Sequence, residues 1–201
     1  MDKLTTMRFF LLPLFLLISY MVMGQSPIKP VVYDIIYKGS DIGDLLATKE
    51  EKDGSVIYRI ETDINKRILH VKKCHYDLMA EYVDGKLHES DYELYINDKL
   101  DKWVKVQDTG GKMVGSKNGK NSVDLGQSIT YSSSMFFFVE PKGVSSTFSE
   151  SNMKTRSVAP DPKTPGRYLL DKNKGSYEYQ NGQLMKVTLD DVVKMEMVRR
   201  Q

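Results

Sequence analysis

Val56, Tyr58, Ile60 and Ile64 fall on one face of an extended chain, and Ser55, Arg59, Glu61 and Asp63 fall on the other. A side-chain period of two marks a half-buried strand, because successive strand side chains point to opposite faces. The period returns at Cys74, Tyr76, Leu78, Ala80 and Tyr82 against His75, Asp77 and Glu81. It returns again at Tyr92, Leu94 and Ile96 against Asp91, Glu93 and Tyr95. Asp53-Gly54, Asp84-Gly85, Asn118-Gly119 and Asn181-Gly182 stand between such runs. Asx-Gly pairs accept the positive φ that both central residues of a two-residue hairpin turn need.

The remaining chain follows the same rhythm. Val31–Tyr37 reads as a first strand, and Gly39 and Gly43 bracket a turn at Ser40-Asp41-Ile42. Asp44–Lys52 is a second strand, and Asn65-Lys66-Arg67 turns the chain. Asn97–Lys102 turns again before Trp103–Gln107, and Thr109-Gly110-Gly111 makes a further tight connection. Tyr177-Glu178-Tyr179 and Leu184–Leu189 flank the last hairpin turn. The final strand, Val192–Val198, buries Val193, Met195 and Met197. About ten closely spaced strands without a βαβ rhythm predict an antiparallel all-β protein. Two segments differ. Ser128–Val139 places Met135, Phe136, Phe137 and Phe138 behind Ser132, Ser133 and Ser134, which fits a short helix capped by one of these serines. Val158–Gly166 holds Pro160, Pro162 and Pro165 and reads as an irregular loop. The expected fold is one curved antiparallel sheet or half-open β-barrel over residues 26–201, with one short helix near 128–139.

Residues 1–24 carry an address. Lys3 and Arg8 precede an apolar run from Phe9 to Met23, which ends at Gly24. The run is shorter than the roughly 20 residues that span a bilayer, so it reads as a signal peptide cleaved after Gly24. Gln25 stands where a lipoprotein needs a cysteine, so the expected product is periplasmic or secreted and not lipid-anchored. The formal net charge of +2 gives no case for nucleic acid as a partner. One cysteine, Cys74, makes no intramolecular disulfide.

No catalytic pattern stands out. His70, Cys74 and His88 make the best metal set that strand alternation allows, but no CxxC, HxH or HExxH supports it. They read as ordinary strand residues, and neither a metal nor another cofactor is expected. Ser132–Ser134 and Ser145–Ser151 lack a nearby histidine, and there is no G-x-S-x-G elbow. Glu50-Glu51 and Asp190-Asp191 read as solvated. Glu150, in an apolar and hydroxyl-rich stretch, reads as a partly buried hydrogen-bonding acid.

Tyr33-Asp34-Ile35-Ile36-Tyr37-Lys38-Gly39, then Ile42-Gly43, resembles the opening hairpin of a family of secreted Gram-negative proteins classed as a domain of unknown function. Phe148-Ser149-Glu150 and Tyr177-Glu178-Tyr179-Gln180-Asn181-Gly182 extend the resemblance over nearly the whole mature chain. Met153–Gly166 departs from it, with several prolines in place of a regular strand connection. The resemblance implies a curved antiparallel sheet similar to periplasmic lipoprotein carriers. It carries over no catalytic residue.

A curved sheet lined with Tyr, Phe and Met offers an apolar face with polar tips, which suits a lipid or other amphiphile. The leading expectation is a non-catalytic envelope protein that holds such a ligand on its concave face. A protein-interaction module using an exposed edge strand is the alternative, and a metal-free hydrolase is a distant third. The candidate ligand-binding residues are Tyr76, Tyr92 and Leu94 from the central hairpin, with Met135 and Phe137 as a lid. The competing reading makes these five the core itself. Tyr92→Ala separates the two. A pocket residue loses ligand binding at little cost in stability, whereas a core residue costs about 3–5 kcal/mol in a denaturant titration.

Overall fold

The computed structural model describes residues 30–65, 73–120, 122–126, 128–172, 174–190 and 194–201. The leader, His70 and Val193 lie outside them, as does most of the Asn65-Lys66-Arg67 turn. Among the described residues, no helix is long and apolar enough to cross a membrane.

The first eight strands are β1 (Val31–Tyr37), β2 (Ser40–Lys52), β3 (Ser55–Ile64), β4 (Cys74–Val83), β5 (Lys86–Ile96), β6 (Lys99–Asp108), β7 (Met113–Lys117) and β8 (Val123–Gly126). A 3-10 helix, Ser133–Phe137, follows. Then come β9 (Ser146–Ser149), β10 (Lys154–Pro160), β11 (Arg167–Leu170), β12 (Gly175–Gln180), β13 (Gln183–Asp190) and β14 (Lys194–Arg199). All fourteen form one sheet in the order β8-β7-β6-β5-β4-β3-β2-β1-β14-β13-β12-β11-β10-β9. Each strand therefore pairs with its sequence neighbour, except that β8 and β9 do not meet and β1 also pairs with β14, placing Tyr33 opposite Arg199 and Ile35 opposite Met197. The sheet is not closed, because β8 and β9 are its two ends.

Period-two alternation gives this sheet one buried face. In β3 the outward Arg59, Glu61 and Asp63 are exposed, while Tyr58, Ile60, Thr62 and Ile64 are buried. The Asx-Gly pairs turn as expected, with φ of 49° and 72° at Asp84-Gly85 and 52° and 76° at Asn181-Gly182. Register shifts at Ile35/Ile36, Glu81/Tyr82, Leu94/Tyr95, Met113/Val114 and Glu178/Tyr179 mark bulges. Bulges raise the local twist, so they curl the sheet around its apolar face. One core cluster includes Tyr33, Ile35, Leu45, Ile60, Phe136, Tyr179, Leu184 and Val187. A second includes Tyr58, Tyr82, Leu87, Val104, Val106, Met113 and Phe148.

The chain between β8 and β9 crosses the open side and enters the interior. The Leu87 N–H donates to the Ile129 carbonyl at 2.7 Å, and the Phe148 N–H donates to the Tyr131 carbonyl at 3.0 Å. Phe136 on the 3-10 helix is fully buried and stacks on Tyr177 with centroids 4.0 Å apart. The turn after β9 reaches back across the opening. Lys102 Nζ donates to Asn152 Oδ1 at 2.9 Å, and Met153 packs where a side chain at Gly115 would stand.

Several local expectations need correction. There are fourteen strands instead of about ten, because four-residue strands such as β8, β9 and β11 are too short to show alternation. The first turn is Lys38-Gly39, with φ of 50° and 76°, and Ser40–Ile42 already belongs to β2. Asn97 and Asp98 turn the chain, and Lys99–Lys102 belongs to β6. The first third of the expected irregular loop, Val158–Pro160, is strand. β10 runs through Pro160, which sits at the last ladder position opposite Tyr168, where its missing N–H costs little. The short helix exists, but Ser132 makes no side-chain cap to it.

Gly43 is a strand residue, and its role is close approach. A Cβ there would lie 1.9 Å from the Asp63 carbonyl oxygen in β3. Gly43→Ala should therefore cost at least the ~1–3 kcal/mol typical of overpacking. A lowered urea midpoint with unchanged secondary structure by circular dichroism checks this.

Candidate functional site

The concave face and the 3-10 helix enclose a cavity of about 210 Å³. Its apolar wall comes from Ile60, Leu78, Leu170, Val187, Leu189 and Met197, spread over β3, β4, β11, β13 and β14. Tyr76, Tyr92, Phe136, Phe137 and Tyr177 add aromatic rings. The polar wall comes from Ser133, Thr147, Ser149, Ser151, Asn152 and Arg156. The volume is below the ~300–1,000 Å³ of drug-sized sites. It suits one ring or one chain.

Three of the five residues singled out from the sequence line this space. Tyr76 and Tyr92 stand with ring centroids 5.7 Å apart on β4 and β5, and Phe137 meets the edge of Tyr33 at 5.5 Å. Leu94 is directly opposite Tyr76 in the ladder, but it is not among the lining residues. Met135 packs against the second core cluster and does not line the cavity. Sequence reasoning missed the wall formed by Thr147, Arg156 and Leu170. Their strands are short or interrupted by proline, which hides the alternation. Tyr177 is legible in principle, because Tyr177 and Tyr179 alternate around Glu178 and both are buried.

The hydroxyls and the guanidinium along the polar wall are unevenly partnered. Thr147 is 2% exposed, and its Oγ1 has no hydrogen-bond partner. Arg156 is opposite Thr147 in the β9–β10 ladder, so the two side chains share the inner face. Its Nε donates to Asp171 Oδ2 at 2.7 Å. Burial pushes the Tyr76 phenol up to about 12, and the charge of Glu150 adds to the rise. Burial also raises Tyr177, where the Arg156 charge opposes it and Glu150 adds to it.

Glu150 is fully buried beside the cavity, just beyond Ser149. Its Oε1 accepts from Ser132 Oγ at 2.5 Å and from the Ser134 N–H at 3.1 Å. Its Oε2 accepts from the Ser133 N–H at 3.2 Å and from Ser133 Oγ. Tyr82 Oη donates to Ser132 Oγ at 2.6 Å. The carboxylate thus supplies the cap that Ser132 does not, from the turn that follows β9. The first N–H groups of a helix have no carbonyl within the helix to bond, so they need an acceptor of this kind. The Ser132 and Ser133 hydroxyls both donate to Glu150.

A larger, more open depression lies at the end of β3, β4 and β5, lined by Asp63, His75, Asp77, Tyr95 and Asp98 among others. His75 is held by Asp63 at Nδ1 and by Asp77 at Nε2, both at 2.9 Å. Burial alone would lower its pKa, but the two carboxylates outweigh burial and raise it. Burial pushes the Cys74 thiol up, and the charge of Asp101 adds to that, which disfavours a reactive thiolate. The Cys74–His88 pairing drawn from the sequence fails. Cys74 pairs with Ile96 at one end of the β4–β5 hairpin, and His88 is near the turn at the other. At about 3.3 Å per strand residue they stand roughly 20 Å or more apart.

Removing Glu150 tests the network. Glu150→Ala strips four hydrogen bonds and leaves buried donors unpaired, so it should cost about 3 kcal/mol or more. Glu150→Gln keeps one acceptor oxygen and should cost less. Urea unfolding of both variants, read by tyrosine fluorescence, checks the order.

The described architecture has a solved counterpart. A β-barrel-like protein of the domain of unknown function DUF1849, from Brucella abortus, is similar with a TM-score of 0.52 and 13% sequence identity, covering 87% of this chain and 97% of that chain. At that identity the likeness concerns the fold. No curated protein matches the sequence. Residues 33–200 match the domain of unknown function DUF6134, from β1 to the end of β14, and the chain belongs to that family.

Proposed function

We propose that this protein is a non-catalytic carrier of the cell envelope, holding an apolar or amphiphilic ligand between the curved sheet and its 3-10 helix. The observation that carries this reading is the cavity, with aliphatic and aromatic walls on one side and hydroxyls and Arg156 on the other. A chain or ring buried there gains about 25 cal/mol per Å² of apolar area removed from water. The leader at residues 1–24 supports a periplasmic or secreted location.

The edge-strand alternative has less support. β8 and β9 are each four residues long, and Thr147, Phe148 and Ser149 of β9 are buried. Short or covered edges are how sheets avoid pairing with other chains. The hydrolase reading has less support, because Glu150, the carboxylate that accepts from Ser132 and Ser133, also accepts the first N–H groups of the 3-10 helix and so has a structural role.

The test is mass spectrometry of organic extracts of the exported protein, with its N-terminus sequenced. A mature chain starting at Gln25 and one co-purified amphiphile are expected. Leu189→Phe, which fills the cavity, should remove that ligand and shift Tm by only a few degrees. Extracts of the wild type that contain nothing stoichiometric, together with an uncleaved leader, would overturn the reading.

A further inference from the structure

The cavity carries a polar group that its own chain leaves without a partner. Thr147 Oγ1 is buried and unpaired on the inner face of β9. A buried hydroxyl without a partner costs free energy comparable to a lost hydrogen bond. Thr147 Oγ1, on the wall of the cavity, points to a guest that bonds it.

The charges around that space select the guest. Arg156 brings one positive charge to the wall, but Asp171 already takes its Nε at 2.7 Å. Glu150 brings one buried negative charge behind Ser133 and Ser149, and its field reaches Tyr76 and Tyr177. An anionic head would meet the charge of Glu150. A cationic head would meet Arg156. Either would also have to shed its water in a small, poorly solvated space. Hydroxyls serve both as donors and as acceptors, so an uncharged hydroxyl fits Thr147 Oγ1 without either conflict.

On the reading that the cavity holds an amphiphile, we propose that the ligand is an uncharged alcohol, with its hydroxyl bonded to Thr147 Oγ1 and its tail along Leu78, Val187 and Met197. Carboxylate and phosphate heads would face Glu150 and an ammonium head would face Arg156, so each should bind more weakly than the alcohol.

The test uses three probes with one tail length, namely 1-octanol, octanoate and octylammonium, titrated calorimetrically into the full mature protein at pH 7. Octanol should bind at least tenfold more tightly than either ion. Thr147→Val keeps the side-chain shape and removes the hydroxyl. It should weaken octanol about fivefold while leaving Tm unchanged or raising it, and Thr147→Ser should restore affinity. Glu150→Gln, if folded, should narrow the gap between octanol and octanoate. An ion binding as tightly as octanol, or a Thr147→Val variant with wild-type affinity, would overturn the head-group assignment and leave amphiphile binding standing. Binding of none of the three would sink both.

Discussion

Because β8 and β9 share no ladder, the curled sheet is joined around its opening by the segment between them, and the Glu150 carboxylate fastens that segment beside β9 with four hydrogen bonds to residues 132–134. It sits on the turn after β9 and grips the chain that follows β8. In the interior each of these bonds is worth more than it would be in water, and charged acceptors make the stronger ones. Tyr82 extends the tie to β4 through Ser132, and the Tyr179 hydroxyl fixes the Phe136 carbonyl at 2.6 Å from β12. The plug is thereby held from both halves of the sheet.

The cavity is a consequence of that arrangement. A sheet curled this far has too much concave surface for its own side chains to cover. The 3-10 helix fills part of the interior with Phe136, which stacks on Tyr177, and Phe137, which meets Tyr33. It is only five residues long, so it covers part of the face and leaves a space toward β4, β5 and β9. A longer helix would have closed the space, and no helix would have left the sheet to collapse on itself.

The sheet is legible in sequence because hairpins are encoded locally. Asp53-Gly54, Asp84-Gly85 and Asn181-Gly182 each announce a turn, and alternation in β3, β4 and β5 announces which side is buried. Lys38-Gly39 is harder to read, since lysine seldom takes the positive φ that it adopts there. Gly43 is easily misplaced, because a glycine needed for backbone approach looks the same in sequence as one needed for a turn. The polar wall is beyond reach for a different reason. Thr147, Arg156 and Glu150 acquire their roles from strands brought together around an opening, and no local pattern records that meeting. For Glu150 only the apolar surroundings hint at burial, and its partners at 132–134 look in sequence like a self-sufficient serine cap.

β1 lies in the middle of the sheet with β2 on one side and β14 on the other. Among the described strands, the first in sequence thus waits for the last. Until Arg199 pairs with Tyr33, β1, which carries the fully buried Tyr33 and Ile35, keeps one row of backbone donors and acceptors open. Such long-range closure slows folding. It also makes the molecule a proofreader of its own length, since a chain cut short before β14 is left with an adhesive central edge that quality-control proteases and chaperones can detect.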